Sequence, residues 1–241
     1  MGRFFESRKA TIMARSKRVS KAFTRCGREI VIAVKAGGDN PDSNSALRRA
    51  IQNARAVNMP KDKITSAIQR AMGASGENYA EVLYEGYAPH GIALMVVTAT
   101  DNTTRTVANV RMHFNKCGGN LGNSGSVGFL FERMAVFKIK PENIGDREEL
   151  ELELIDFGLE EMLESEDDDG NPIVELRCGF TEFGDLQSAL EEQSIETVSA
   201  NSAFIPHTTT ELTDAQLTDV IKLMDRLDSD DDVQHIFHNM A

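Results

Sequence analysis

Three features of the sequence predict an α+β protein in which a basic three-helix domain precedes two α+β domains. Apolar residues recur with helical spacing through residue 72, strand and helix patterns alternate beyond it, and charge is strongly segregated along the chain. Residues 1–72 hold 16 Lys+Arg against 5 Asp+Glu, an excess of +11; residues 73–140 are nearly neutral at +1; residues 141–241 hold 4 against 28, or −24. The net charge of −12 therefore hides a basic module joined to an acidic one. Solubility alone does not require +11 in 72 residues, so the basic part predicts an anionic partner.

The first helix is read from Ile12, Val19, Phe23, Cys26, Ile30 and Ala33, which share one stripe at about 100° per residue. Lys17, Arg18, Lys21, Arg25, Arg28 and Lys35 fall on the other side. Gly37-Gly38 stops this helix, and Asp39-Asn40-Pro41-Asp42 forms a turn. A second helix follows over Ser45–Val57, with Leu47, Ile51 and Ala54 inward and Arg48, Arg49 and Arg55 toward solvent. The third starts near Pro60, carries Ile64, Ala67, Ile68 and Ala71 on its apolar stripe, and ends at Gly73. Gly73–Asn78 reads as a linker.

From Glu81 the period changes. Glu81–Tyr87 and Ile92–Thr100 are β-rich runs around the hairpin signal Pro89-His90-Gly91. Asp101-Asn102 caps a helix through Lys116 whose apolar positions include Val107, Val110, Met112 and Phe114; a glycine-rich stretch and a strand through Val127, Phe129 and Phe131 follow. A second unit begins at Ala135: strand Ala135–Lys140, helix Arg147–Phe157 with Leu150, Leu154 and Phe157 inward, strands Met162–Glu166 and Ile173–Cys178, helix Phe183–Gln193, strand Glu196–Ile205. That order, β-α-β-β-α-β, is ferredoxin-like. The remaining helix (Asp214–Leu227) and strand (Val233–Phe237) would complete the interrupted middle unit. The expected domains are 1–76, a discontinuous 77–134 with 206–241, and an inserted 135–205.

Several functions find no support. The longest apolar run, Ile92–Val97, is far short of a membrane span, and no secretory pattern follows the basic start. Cys26, Cys117 and Cys178 are widely spaced, which fits free thiols in a reducing cytoplasm and not a zinc framework. His235 and His238 lack a third ligand. Aligning Gly170 with the sixth position of a calcium loop puts Ser165 first and Leu176 twelfth, where acids belong, so Asp167–Gly170 reads as a hairpin turn. Asp228, Asp230, Asp231 and Asp232 read as a solvated turn. Gly118, Gly119, Gly122, Gly125 and Gly128 lack the Gly-Lys-Ser/Thr of a phosphate loop and point to tight turns instead, with Asn120, Asn123 and Ser124 as a weaker contact surface. No nucleophile elbow, zinc-protease helix or dinucleotide fingerprint is present, so no catalytic residue, cofactor or metal is expected.

Five segments carry a family resemblance: Gly37–Arg55 (GGDNPDSNSALRRAIQNAR), Asn58–Ile64 (NMPKDKI), Tyr84–Pro89 (YEGYAP), Asp101–Arg111 (DNTTRTVANVR) with Phe114–Val127 (FNKCGGNLGNSGSV), and Asp231–Asn239 (DDVQHIFHN). In this order the chain resembles the YebC/PmpR family over nearly its full length. The resemblance implies the three-domain arrangement above, DNA binding and transcriptional regulation, and a related role as a translational activator at the ribosome. Many members begin Gly-His-Ser-Lys-Trp; here Gly2-Arg3-Phe4-Phe5-Glu6-Ser7 precedes Arg8 and Lys9, which match the basic pair that follows in those members. The expected function is a cytoplasmic, non-enzymatic DNA-binding regulator, with RNA or ribosome contact as the alternative and a protein-interaction module as a further one. The candidate nucleic-acid contacts are Arg8, Lys9, Arg15, Lys17, Arg18, Lys21, Arg25, Arg28, Lys35, Arg48, Arg49, Arg55, Lys61 and Lys63. The acidic region is a candidate surface for a protein partner, and the oligomeric state stays open.

Overall fold

The computed structural model describes residues 3–73, 78–167 and 170–241, with side chains from Lys17 onward. Two compact units emerge: residues 1–80 with 99–101, and residues 81–98 with 102–241.

In the first unit α1 (Arg3–Gly37), α2 (Ser45–Ala56) and α3 (Lys61–Met72) surround a core of Ile30, Val31 and Val34 from α1, Leu47, Ala50 and Ala54 from α2, and Ile64, Ala67 and Ala71 from α3. Small residues on α2 and α3 let each of them close on α1. Asn44 fixes the α1–α2 corner. Its side-chain oxygen accepts from Leu47 N–H at 3.0 Å, capping α2, while its amide donates to Ala33 and Gly38 carbonyls, each at 2.8 Å. Gly38, at φ +87°, provides the left-handed exit from α1. A Cβ on Gly37 would stand 2.8 Å from the Asn44 side chain, so the Gly-Gly pair serves both the turn and the close approach. Among the described side chains, the apolar stripe of α1 packs from Phe23 onward and Val19 is exposed, contrary to expectation, while the side chain of Ile12 lies outside the described residues. Length explains this: a 12-residue helix spans about 18 Å and a 35-residue helix about 52 Å, so two short partners cover only part of the long one.

The second unit holds two four-stranded sheets. The first, ordered β3-β1-β2-β8, contains β1 (Ala80–Tyr87), β2 (Ala93–Thr100), β3 (Asn120–Leu121) and β8 (Val233–His238), joined in chain order by α4 (Thr103–Lys116) after β2 and α7 (Asp214–Asp228) before β8. Val110 and Phe114 of α4 meet Val220, Leu223 and Leu227 of α7 over Ile92, Leu94 and Val96. β2 is buried along nearly its whole length, as its unbroken apolar run requires. The turn between β1 and β2 places His90 and Gly91 at φ +64° and +78°.

The second sheet, ordered β5-β6-β4-β7, contains β4 (Phe131–Ile139), β5 (Leu159–Glu166), β6 (Pro172–Gly179) and β7 (Thr197–Pro206), all antiparallel, with α5 (Arg147–Ile155) and α6 (Phe183–Glu192). Its core sets Ala135, Phe137 and Ile139 of β4 against Leu150 and Leu154 of α5 and Leu186 and Leu190 of α6. This is the ferredoxin-like order. All four strands lie in sequence between β3 and β8 of the first sheet.

Four local expectations fail. Gly128–Leu130 forms a 3-10 turn, not a strand, with Phe129 69% exposed, and the strand that follows starts at Phe131 and belongs to the second sheet. The last early strand of the first sheet is instead the two-residue β3. Phe157 is exposed because α5 ends at Ile155, and Gly158, at φ +91°, turns the chain into β5. Met112 faces out from α4. Burial pushes the Cys26 and Cys178 thiols up to about 12, aided by nearby carboxylates, so neither is a reactive thiolate at neutral pH.

Candidate nucleic-acid interface

The cations predicted for the interface fall into three groups. Lys17, Arg18, Lys35, Arg55, Lys61 and Lys63 are exposed on the helical unit. Lys21, Arg25, Arg28, Arg48 and Arg49 are half-buried. The side chains of Arg8, Lys9 and Arg15 lie outside the described residues. Backbone carbonyls hold two of these arginines, Arg28 and Arg48. Arg28 donates to the Ala99 carbonyl at 2.7 Å and stacks over the Tyr79 ring with its guanidinium carbon 5.0 Å from the centroid. Arg48 donates to the Pro41 carbonyl at 2.9 Å. The sequence pattern puts all of these on polar faces, but it does not reveal which ones the unit's own carbonyls claim.

Between α1 and α3 lies a groove of about 460 Å³. Phe23 and Tyr79 are its rings, Lys63 and Arg70 its outer cations, and Gly27 opens it at the middle of α1. The Lys63 ammonium stands 4.9 Å from the Phe23 ring centroid. Sequence reading named neither Gly27 nor Tyr79.

The glycine-rich segment after α4 is held by Glu85, a buried carboxylate on β1. Its Oε1 accepts from Gly125 N–H at 2.7 Å, and its Oε2 from Val127 and Gly128 N–H at 2.9 and 2.8 Å. Gly118 and Gly125 take φ +76° and +84°, in keeping with a tight turn. Asn123, Ser124 and Phe129 stay on the exposed side. Burial alone would raise the Glu85 carboxyl, but the three N–H donors outweigh it and hold it below the ordinary 4.5.

That shift sets a pH dependence. A carboxyl whose folded value is depressed gives stability that is complete above its unfolded value and lost as pH falls through the folded one. The His238 imidazole, which burial holds below 6.5, favours the neutral form in the fold and adds a loss beginning higher on the acid side. The thermal midpoint should therefore be flat above about pH 7 and decline in two stages below it. Thermal melts of the wild type and of Glu85→Gln across that range check this; an unaltered lower stage in the variant would contradict the assignment.

The acidic turn before β8 is solvated at Asp228 and Asp231 but not at Asp230 and Asp232. Asp232 is buried, and its Oδ2 accepts from Arg105 at 2.8 Å and from the Thr106 hydroxyl at 2.7 Å. Asp230 accepts from Asp232 N–H at 3.0 Å and lies 3.6 Å from His113 Nε2. Burial outranks charge at this turn because α4 supplies the partners across 126 residues of sequence. Among the described residues, no group of three or more His, Cys, Asp or Glu is placed to hold a metal, and no helix is long and apolar enough to cross a membrane.

Known proteins match this architecture along the whole chain. Residues 3–74 match the TACO1/YebC protein N-terminal domain, and residues 79–240 match the TACO1/YebC second and third domain. The chain belongs to the TACO1/YebC family. Relatives named "Probable transcriptional regulatory protein" are 58% identical in Myxococcus xanthus and 56% in Anaeromyxobacter dehalogenans, each over 241 residues and the full length of both chains. A crystal structure of a conserved hypothetical protein from Aquifex aeolicus superposes with a TM-score of 0.80 at 36% identity, covering 92% of this chain and 90% of that one. The TACO1/YebC family thus groups this chain with probable transcriptional regulators and not with enzymes.

Proposed function

We propose that this protein is a cytoplasmic DNA-binding transcriptional regulator that grips the phosphate backbone through its helical unit. The observation that carries the reading is the +11 excess in residues 1–72, together with exposed cations on all three helices. Duplex DNA presents a negative charge about every 1.7 Å, and a cationic helical surface gains affinity by releasing its counterions. The relatives' printed name supports regulation of transcription. The division of labour we propose follows domains 1–76, 77–134 with 206–241, and 135–205. The first binds nucleic acid and the acidic others, −24 over residues 141–241, receive a protein partner. Binding RNA or the ribosome is the second reading, favoured by the groove between α1 and α3.

The test is a salt titration. In a variant with Lys17, Arg18, Arg55 and Lys61 all changed to Ala, the slope of log affinity against log salt on duplex DNA should flatten by about 3 to 4 units if all four meet phosphate. Arg28 and Arg48 are left intact because they hold backbone carbonyls. An unchanged slope in a variant of unchanged helicity would sink the phosphate-gripping role.

A further inference from the structure

We propose that the groove between α1 and α3 receives one unstacked nucleotide, so that the protein prefers nucleic acid with an unpaired base over uninterrupted duplex. The inference rests on the nucleic-acid-binding reading above and adds what the site selects.

Gly27 is the first observation. It sits inside a 35-residue helix, where glycine is less favourable than alanine, yet a Cβ built there meets nothing within 4 Å. It is not at a turn, its φ is not positive, and no neighbour presses against it. Gly27 is also buried. A buried mid-helix glycine facing open space leaves the groove vacant, which neither folding nor helix packing requires. Here the missing side chain makes room.

The lining is the second observation. A nucleobase presents two apolar faces and a polar rim. Phe23 and Tyr79 are both half-buried at the groove, each with a cation over one ring face, and Arg28 holds Tyr79 in place through its bond to Ala99. The hydroxyl oxygens of Ser20, Thr24 and Ser66, with the Thr24 and Ser66 protons given to the Ser20 and Asp62 carbonyls, and the carboxylate of Asp62 offer acceptors for the N–H groups of a base rim. Asp62 repels phosphate and accepts from a base N–H, which leaves the phosphate to Lys63 and Arg70. A volume of about 460 Å³ is at the scale of a small-molecule site. The electrostatic surroundings complete the match, since the groove lies in the module carrying +11. A basic, ring-bearing groove of this size fits a nucleotide better than it fits an acidic peptide, whose side chains give the rings nothing flat to stack on.

The experiment uses the full-length protein and labelled oligonucleotides: a DNA duplex, the same duplex with a single-nucleotide bulge, and the RNA versions of both. The wild type should bind a bulged probe about tenfold more tightly than its uninterrupted counterpart, which is within the range of one stacked base. The bulged DNA and RNA arms tell which backbone supplies the nucleotide. Gly27→Leu fills the groove and should abolish the preference while leaving duplex affinity and its salt slope unchanged. Gly27→Ala should reduce the preference and raise the thermal midpoint, since alanine favours helix. Thr24→Leu, at an exposed wall position, blocks the groove without touching the helix core and stands in if Gly27→Leu does not fold. No bulge preference in the wild type, or one retained in a folded groove-filled variant, overturns the proposal. An unchanged duplex affinity and salt slope in the fourfold Ala variant, with the bulge preference intact, would instead count against the phosphate-gripping surface alone.

Discussion

Replacing Glu85 with alanine is expected to cost about 3 kcal/mol of stability, the largest effect of any single substitution considered for this chain. The carboxylate accepts three backbone N–H bonds, and hydrogen bonds to a charged acceptor are each worth about 1.5–3 kcal/mol. They do not add fully. Gly125 is exposed, so water can serve its N–H once the carboxylate is gone, whereas Val127 is completely buried and its N–H would be stranded. Glu85→Gln should cost less, because one oxygen still accepts while the amide NH2 is turned toward N–H groups it cannot bond. Urea denaturation of both variants measures this. The exposed loop face should also suffer, so a neutral Phe129→Ala control, at a 69% exposed position, separates loss of the loop's shape from loss of a side chain. A cost below about 1 kcal/mol for Glu85→Ala would mean that the glycine-rich turn holds itself without the carboxylate.

How much of this was readable beforehand depends on the range of the interaction. Periodicity is local, so it revealed α1, α2, α3 and the β-α-β-β-α-β order of the second sheet, whose elements each bury one regular face. The order of the elements supplied the rest of the plan, since the first sheet is otherwise short of a helix and a strand and the final pair, α7 and β8, completes it. Elements too short for a period went astray. β3 has two residues and no pattern, and the apolar run Val127, Phe129, Phe131 mimics alternation while spanning a 3-10 turn and the start of another sheet. At the candidate interface, composition located the basic helices but did not distinguish Lys61, exposed, from Arg28, engaged with Ala99. That distinction depends on carbonyl groups 71 residues away. Gly27 is invisible for a related reason: only the space around a glycine shows whether its missing side chain is used.

Asp232 is the sharpest case of a long-range partner reversing a local reading, and its removal is the second large effect expected. In sequence it belongs to the run Asp228, Asp230, Asp231, Asp232, where like charges favour solvent. In the fold it is buried against the first turn of α4, bonded to Arg105 and Thr106. Asp232→Ala should cost about 2–3 kcal/mol, below the 3–5 kcal/mol typical of breaking a fully buried pair. The discount comes from Arg105, whose side chain is 46% exposed and can recover hydration, while Thr106 is buried. Burial, and after it the charge of Asp232, also pushes the Tyr84 hydroxyl upward, so that group should titrate closer to its ordinary 10 in the variant. Asp232→Asn keeps an acceptor for Thr106 and should lose less than the alanine variant. A double-mutant cycle with Arg105→Ala apportions the effect: a coupling near 1 kcal/mol is expected for a half-exposed pair, with most of the cost of Asp232→Ala persisting when Arg105 is already gone. Full disappearance of that cost in the Arg105→Ala background would place the stabilisation in the ion pair, not in the buried hydroxyl contact.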